Sequence, residues 1–583
     1  MTPPRATAGR PGHWAGLRPA LLLAALWLAP LAFLALFYFF PLGSLLSLSF
    51  SRSAEGPAAP FLSILTSRFM RGVIGFTFGQ AALSTALTLL LGLPGAYLLA
   101  RRIFRGKDVL RALTAVPFVM PTLVVAAAFS ALLGPRGWLN VALMDLFNLA
   151  APPLRVLNSL GAVVLAHVFY NTTIVLRTVG DFWSHLDPRL GQAAQTLGAG
   201  RAQTFFRITL PLLMPAIAAA SLLVFLFDFT SFGVVLVLGG PRLATLEVEI
   251  YRQTVSLFNL PVAAALTVIQ LAFTLGITAL YLRLSARLQR PLHLRGRAQT
   301  QRPLRGFRER AVAGALIAML LVFLLSPLLA LAARSVSRLD PEAGEQGTLR
   351  PGLTLDYYRE LGVNRRLSRF YAPPAAAIGV SFVYATATVT LALGLGLPAA
   401  WALARHGGSL ASRLIDPILM LPLGTSAVSL GLGFILALGR PPLDLRASPI
   451  LVPLAHTLVA FPFVVRSLVP ALRSIRPRLR HAAAALGAPP LQVIRRIDLP
   501  LVGRGVLVAA TFAFMISLGE FGATALVARP EFPTVPLAIY RFLSAPGSLN
   551  YGQGLALSTI LMAVCTAGML GIERLRIAEV GEF

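Results

Sequence analysis

The chain has 583 residues, 56% of them hydrophobic and only 13% charged, with a formal net charge of +29. A soluble protein of this length carries about 25% charged residues, so the composition excludes an ordinary soluble fold. Strong basicity fits nucleic-acid binding, but here the arginines fall in short loops between apolar runs, where membrane topology places them.

The apolar runs are roughly twenty residues each, long enough to cross a hydrocarbon core as helices. Arg5, Arg10 and Arg18 precede the first, which starts near Pro19 and continues to about Phe40. That is too long for the core of a secretory signal, so it reads as a retained membrane helix. Six spans are expected near 19–43, 73–100, 110–133, 159–179, 212–239 and 261–282. Six more follow near 311–334, 376–404, 414–438, 448–470, 502–528 and 553–573. The expected fold is an all-α polytopic membrane protein of twelve transmembrane helices. Between the sixth and seventh runs, residues 283–310 hold nine arginines against one acid, Glu309, and read as a basic cytoplasmic linker. The loops 101–111, 180–211, 405–413 and 471–500 are also basic, whereas 240–258 and 529–552 are mixed in sign. The positive-inside rule then places both termini in the cytoplasm, although Arg52, Arg68 and Arg71 lie on the opposite side. The lone cysteine, Cys565, excludes an intramolecular disulfide and reads as a packing residue.

The linker also divides a repeat. GLPGAYLLAR (Gly92–Arg101) returns as GLPAAWALAR (Gly396–Arg405), an offset of 396 − 92 = 304. LAH at 165–167 returns at 454–456, and IYR at 250–252 returns at 539–541, both offset by 289. Residues 1–282 and 311–583 are therefore two six-span halves. An even number of spans gives both the same orientation, with an axis along the membrane normal.

Within each half the cytoplasmic loop before the fifth span (185–211 and 474–500) carries one pattern, x-A-A-x3-G-x9-I-x-L-P. The first copy holds Gln192, Ala193, Ala194, Gly198, Ile208, Leu210 and Pro211. The second holds His481, Ala482, Ala483, Gly487, Ile497, Leu499 and Pro500. Alanines favour helix, and glycine turns the chain at positive φ without a Cβ penalty. Apolar residues then recur at helical spacing, as Phe205, Ile208 and Leu212, or Val493, Ile497 and Leu501. The proline is expected to end this second helix before the membrane span. A helix–turn–helix knob results, suited to docking on another protein.

This pattern resembles the EAA loop of binding-protein-dependent ABC importer permeases, in which the loop is a coupling helix seated in a cleft of a cytoplasmic ATPase. Both copies depart at the first position, where Gln192 and His481 replace the family's anchoring glutamate. The resemblance covers nearly the whole chain and implies a type I importer architecture. DFTSFGVVLVLGG (Asp228–Gly240), LEVEIYRQ (Leu246–Gln253) and SLGEFGATALV (Ser517–Val527) are similar to the fused iron(III) and thiamine permeases. The implied partners are two copies of an ABC ATPase and an extracytoplasmic binding protein, in a bacterial or archaeal plasma membrane. Transport would proceed by alternating access.

Asp228 and Glu520 interrupt apolar runs, and intramembrane acids usually face a bundle interior. By the offset, Ser231 matches Glu520 and Ser517 matches Asp228; each pair is i, i+3, one helix face. These four are the candidate substrate-pathway residues, although acids held by hydrogen bonds for packing would look the same. His167 and His456 occupy matching sites and read as packing histidines rather than metal ligands or proton relays. No phosphate-binding G-x-x-x-x-G-K-[ST], H-E-x-x-H or G-x-S-x-G motif appears. No catalytic or metal-binding residue is therefore expected, and ATP with Mg²⁺ belongs on the partner ATPase. The alternative is an ion-coupled secondary transporter, which also allows twelve spans and parallel repeats but does not call for paired EAA-like loops.

Overall fold

The computed structural model describes residues 26–580 apart from short stretches at 52–55, 57–58, 289–299, 340–348, 364–372, 407–408, 440–442, 447 and 476. Arg5, Arg10, Arg18, Pro19, Arg52 and residues 289–299 of the expected linker lie outside the described residues. Among the described residues, eleven helices are long and apolar enough to cross a membrane, running from Leu26–Phe50 to Ser548–Arg574. A twelfth span is broken: Leu410–Gly424 and Ala427–Ala437 meet at 97°. The break follows from local chemistry. Thr425 is extended, and Ser426 caps the next helix by accepting from the Ser429 N–H. A serine N-cap satisfies a donor that would otherwise be orphaned in lipid.

Two expected spans also end early. The run 212–239 is a helix only to Phe229, followed by a short helix Gly233–Leu238. The run 502–528 is a helix to Gly519, followed by Thr524–Val527. At their other ends both helices extend beyond expectation. Pro211 and Pro500 do not stop the preceding helices, which continue into the spans as Arg201–Phe229 and Ile494–Gly519. Continuity is made possible by π-helical turns, Phe205–Thr209 and Ile494–Asp498. A proline ring clashes with the carbonyl four residues earlier. That carbonyl belongs to Arg207 or Arg496, the centre of each π turn, where i→i+5 bonding relieves the clash. The first span repeats the device, with Ala35–Phe39 ahead of Pro41.

The halves are interlocked. The first span packs not on its own half's third and fourth spans but on those of the second half. Trp27, Phe33, Leu34 and Tyr38 share a core with Leu430, Phe434 and Leu451, and the Tyr38 and Thr425 hydroxyls lie 2.6 Å apart. Reciprocally, the seventh span (Phe307–Arg334) sends Leu324, Leu328 and Leu331 into the core built by Leu123–Phe129. Arg177 and Glu573 pair at 2.7 Å between the fourth and last spans.

Within each half the second and fourth spans approach closely at a repeat glycine. A Cβ on Gly92 would lie 2.8 Å from Val175, and one on Gly396 would lie 2.7 Å from Val464. Small residues let membrane helices meet backbone to backbone. Gly92→Leu and Gly396→Leu are each expected to cost about 1–3 kcal/mol by overpacking. Gly79→Leu, with nothing within 4 Å of its would-be Cβ, is expected to be neutral. Thermal unfolding of the detergent-purified protein checks this, and equal midpoints for Gly92→Leu and Gly79→Leu would refute it.

Candidate functional site

The two early helix ends set the site. Asp228 is in the last turn of the fifth span, Ser231 just beyond it, and Glu520 is the C-cap of the eleventh. The pairs 228/231 and 517/520 therefore do not share one continuous helix face, as the spacing suggests. They are brought together instead by the two histidines. In the first half, the His167 Nε2 and Ser231 Oγ share a hydrogen bond at 2.8 Å, and the His167 Nδ1 lies 3.5 Å from the Asp228 Oδ1. Ser84 lies 3.3 Å from that same Nδ1. In the second half, His456 Nδ1 shares a bond with Ser517 at 2.7 Å, and its Nε2 lies 3.1 Å from the Glu520 Oε2. Thr388, which matches Ser84 at offset 304, stands 3.2 Å behind Ser517. Each half thus holds one His–acid–hydroxyl cluster, with the acid moved to the other vertex.

The two acids are satisfied very differently. Glu520 accepts from the backbone N–H groups of Ala523 and Thr524 at 2.8 and 3.1 Å, and from the Thr524 hydroxyl at 2.7 Å. It serves the start of the short helix Thr524–Val527, where a negative charge also meets the helix dipole. Asp228 Oδ1 accepts from Asn171 at 2.6 Å, but its Oδ2 is buried without a hydrogen-bond partner. A polar atom left so is expensive to bury and calls for a ligand, a proton or a water.

Asp228, Ser231, His167, Asn171 and Glu520 all line a cavity of about 380 Å³ formed by both halves. Ser517 does not line it and stands behind His456. Glu247 also reaches this cavity, from the short helix Leu246–Val255. Its Oε2 accepts from Ser426 of the second half at 2.6 Å, and its Oε1 accepts from Gln270. Burial pushes the Glu247 carboxyl up to about 7. Phe232 and Phe521, related by the 289 offset, stack across the axis at 5.4 Å and 18°. Tyr251 and Tyr540, also a repeat pair, flank them at 5.2 and 5.4 Å. Those tyrosines sit on the connections leading to the last span of each half, on the face away from the repeat loops. Phe232 and Phe521 line the cavity at that end, and the two tyrosines pack against them.

Sequence reasoning missed Glu247, Asn171 as a partner of Asp228, and the four rings. The 289 offset relating Phe232 to Phe521 was the one signal able to find the ring pair.

On the opposite face, the two repeat loops have one geometry. Arg189–Thr196 and Pro477–Ala485 are the first helices. Gly198 (φ +90°) and Gly487 (φ +81°) turn the chain. The Ala199 N–H donates to the Ala194 carbonyl at 3.0 Å, and the Gly198 N–H to Gln195 at 3.0 Å. Ala488 to Ala483 and Gly487 to Ala484 repeat both bonds at 3.0 Å. This is the Schellman closure, and it explains why the glycine follows the second alanine by four residues. Gln192, Ala193, His481 and Ala482 are exposed, and Ala194 and Ala483 half-buried. Ile208 and Ile497 are half-buried on the following helix, while Pro211, Leu499 and Pro500 are exposed and Leu210 half-buried. At the two tips Leu197 and Leu486 are each 88% exposed. Such exposed apolar tips would gain free energy if a partner covered them.

Residues 92–290 and 392–575, one stretch in each half, match the family described as binding-protein-dependent transport system inner membrane component. The chain is 27% identical over 531 residues to the thiamine transport system permease protein ThiP of Escherichia coli (strain K12), covering 89% of this chain and 92% of that one. It is 29% identical over 540 residues to ThiP of Brucella abortus (strain 2308), covering 91% and 92%. Among solved structures, a bacterial ABC transporter that imports the acidic polysaccharide alginate is similar over 48% of this chain, with 20% identity and a TM-score of 0.39.

Proposed function

This chain belongs to the family of binding-protein-dependent transport system inner membrane components, and from that premise we propose that its cargo is a small organic cation of the thiamine class. It is the membrane-embedded permease subunit of an ATP-driven ABC importer, not an enzyme, and it works with a binding protein and an ATPase. An ion-coupled secondary transporter is not favoured. The observation that carries the substrate reading is the buried, unpartnered Asp228 Oδ2 in a cavity walled by Phe232, Phe521 and Tyr170. A carboxylate beside aromatic faces recognises a flat cation, by charge and by cation–π attraction. A thiazolium ring has both properties. The relatives named above as thiamine permeases, which align over nearly the full chain, support the same class.

The repeat loops would face the cytoplasm together with both termini and the basic segment 283–310. Two ATPase copies would dock there, one on each exposed tip, and hold the ATP and Mg²⁺; the chain itself needs no cofactor. The four aromatic rings then lie on the extracytoplasmic side, where the binding protein delivers cargo. Closure of the ATPases on ATP would rotate the halves, part the rings and expose Asp228 outward. Coupling of this kind requires each partner to bind the two states with different affinity.

The test is purification of the permease with its ATPase, reconstitution in liposomes with the cognate binding protein, and measurement of ATP-dependent uptake. Thiamine is expected to accumulate and to stimulate ATP hydrolysis. Accumulation of iron(III) with no thiamine uptake would overturn the substrate class, and uptake without an ATPase would overturn the docking assignment.

A further inference from the structure

The two coupling loops share their turn but not their fastening. In the second half, Asp498 is fully buried between the first loop helix and the end of the eighth span. Its Oδ1 accepts from the Arg480 Nε at 2.7 Å, and its Oδ2 accepts from the Arg405 Nη2 at 3.1 Å. Arg480 lies on the first loop helix beside His481, and Arg405 ends the eighth span. The Arg405 guanidinium is itself held over the Trp401 ring at 4.4 Å. Both carboxylate oxygens are thus spent on cations from two different elements, and Asp498 stands on a third, the π turn ahead of Pro500.

The first half has no such clasp. By the repeat offsets, Arg101 matches Arg405, but Gly191 stands at the place of Arg480 and Thr209 at that of Asp498. There Trp183 lies 5.3 Å from Tyr97 and 6.4 Å from Phe205, a column of rings from the second span to the loop. Beside it is a cavity of about 280 Å³, lined by Arg101, Gly191, Gln192 and Thr209 among others. Asp187 lines that cavity with Arg101, but no acid stands at the place of Asp498.

We propose that Asp498 is the positioning residue of the second coupling loop, clasping Arg480 to Arg405 so that the loop moves with the eighth and eleventh spans. This rests on the permease reading above, and it assigns the anchoring of that loop to Asp498, since His481 at the glutamate position of the motif is exposed. Asp498 is buried while Arg405 and Arg480 keep 36% and 21% of their side chains exposed, so removing a cation leaves a buried carboxylate short of a partner.

The experiment compares wild type, Asp498→Asn, Arg480→Gln and the double variant, each reconstituted with ATPase and binding protein. Substrate molecules moved per ATP hydrolysed are the readout, alongside thermal unfolding of the permease. Asp498→Asn is expected to lower that ratio about tenfold, within the usual range of site-to-site coupling. Arg480→Gln should do the same, and the double variant should lose no more than either single change, the non-additivity of residues acting as a unit. Asp498→Glu should restore part of the ratio. A loss of thermal stability at an unchanged ratio would overturn the proposal, as would additive losses. If Asp498→Asn fails to insert, Arg480→Gln decides alone: a wild-type ratio refutes the clasp and a lowered one supports it. If wild-type complex hydrolyses ATP with no response to substrate, the permease reading fails rather than the clasp.

Discussion

Asp228→Asn is expected to reduce uptake by about 10–100-fold while leaving the assembled transporter intact. The substitution keeps the shape of the side chain and a hydrogen-bonding partner for Asn171, and the Gln80 amide still reaches the residue's backbone carbonyl at 2.7 Å. What it removes is the charge behind the unpartnered Oδ2. A hydrogen bond to a charged group is worth about 1.5–3 kcal/mol, and each 1.4 kcal/mol is a factor of ten. Glu520→Gln makes the contrast. Its carboxylate is filled by backbone and hydroxyl donors of its own half, so the main loss there should be stability around the short helix Thr524–Val527. Uptake in proteoliposomes separates the two residues, because Asp228→Asn should act on transport at an unchanged melting temperature. Wild-type uptake by Asp228→Asn would remove this carboxylate from the pathway.

Gly198→Val combined with Gly487→Val is expected to abolish ATPase coupling. Both glycines sit at φ +90° and +81° with nothing within 4 Å of a would-be Cβ. The obstacle is therefore backbone strain alone, about 1–2 kcal/mol at each site for an ordinary residue and more for a β-branched one. Relief requires the Schellman bonds from Ala199 to Ala194 and from Ala488 to Ala483 to open. The exposed Leu197 and Leu486 then lose their fixed position. Gly200→Val is the control, since Gly200 has φ −65° and equally open surroundings. Retention of the ATPase through purification, and substrate-stimulated hydrolysis, measure the outcome. If the double valine variant keeps both, the tips are not the docking element.

What the sequence made legible was local. The loop pattern could be read because the Schellman turn is fixed by bonds within six residues, and alanine and glycine announce it. The spans were legible because lipid demands about twenty apolar residues whatever the packing. The misreadings share one cause: hydropathy does not register where a helix stops. Ser426, Thr230 and Gly519–Glu520 end or restart helices inside runs that stay apolar on either side. Asp228 and Glu520 were picked out by charge, but their convergence on His167 and His456 depends on those breaks. Asp498 was passed over because it stands in a slot the pattern leaves free, and its two arginines are 18 and 93 residues away in sequence. The prolines misled in the other direction, since a π turn two residues earlier lets the helix run through them.

The exchanged first spans bear on how the protein is made. The side of Leu26–Phe50 that carries Trp27, Leu34 and Tyr38 finds its partners on the helix Ala427–Ala437. Those partners emerge 427 − 50 = 377 residues after the span itself. At about 5–20 residues per second of synthesis, the wait is roughly 20–75 s. Through that interval the first helix must stand in lipid with its packing face bare and the Tyr38 hydroxyl unbonded. The first half is thus an unfinished body until the ribosome is well into the second, and joining both on one chain keeps the late-arriving partner within reach of the helix that waits for it.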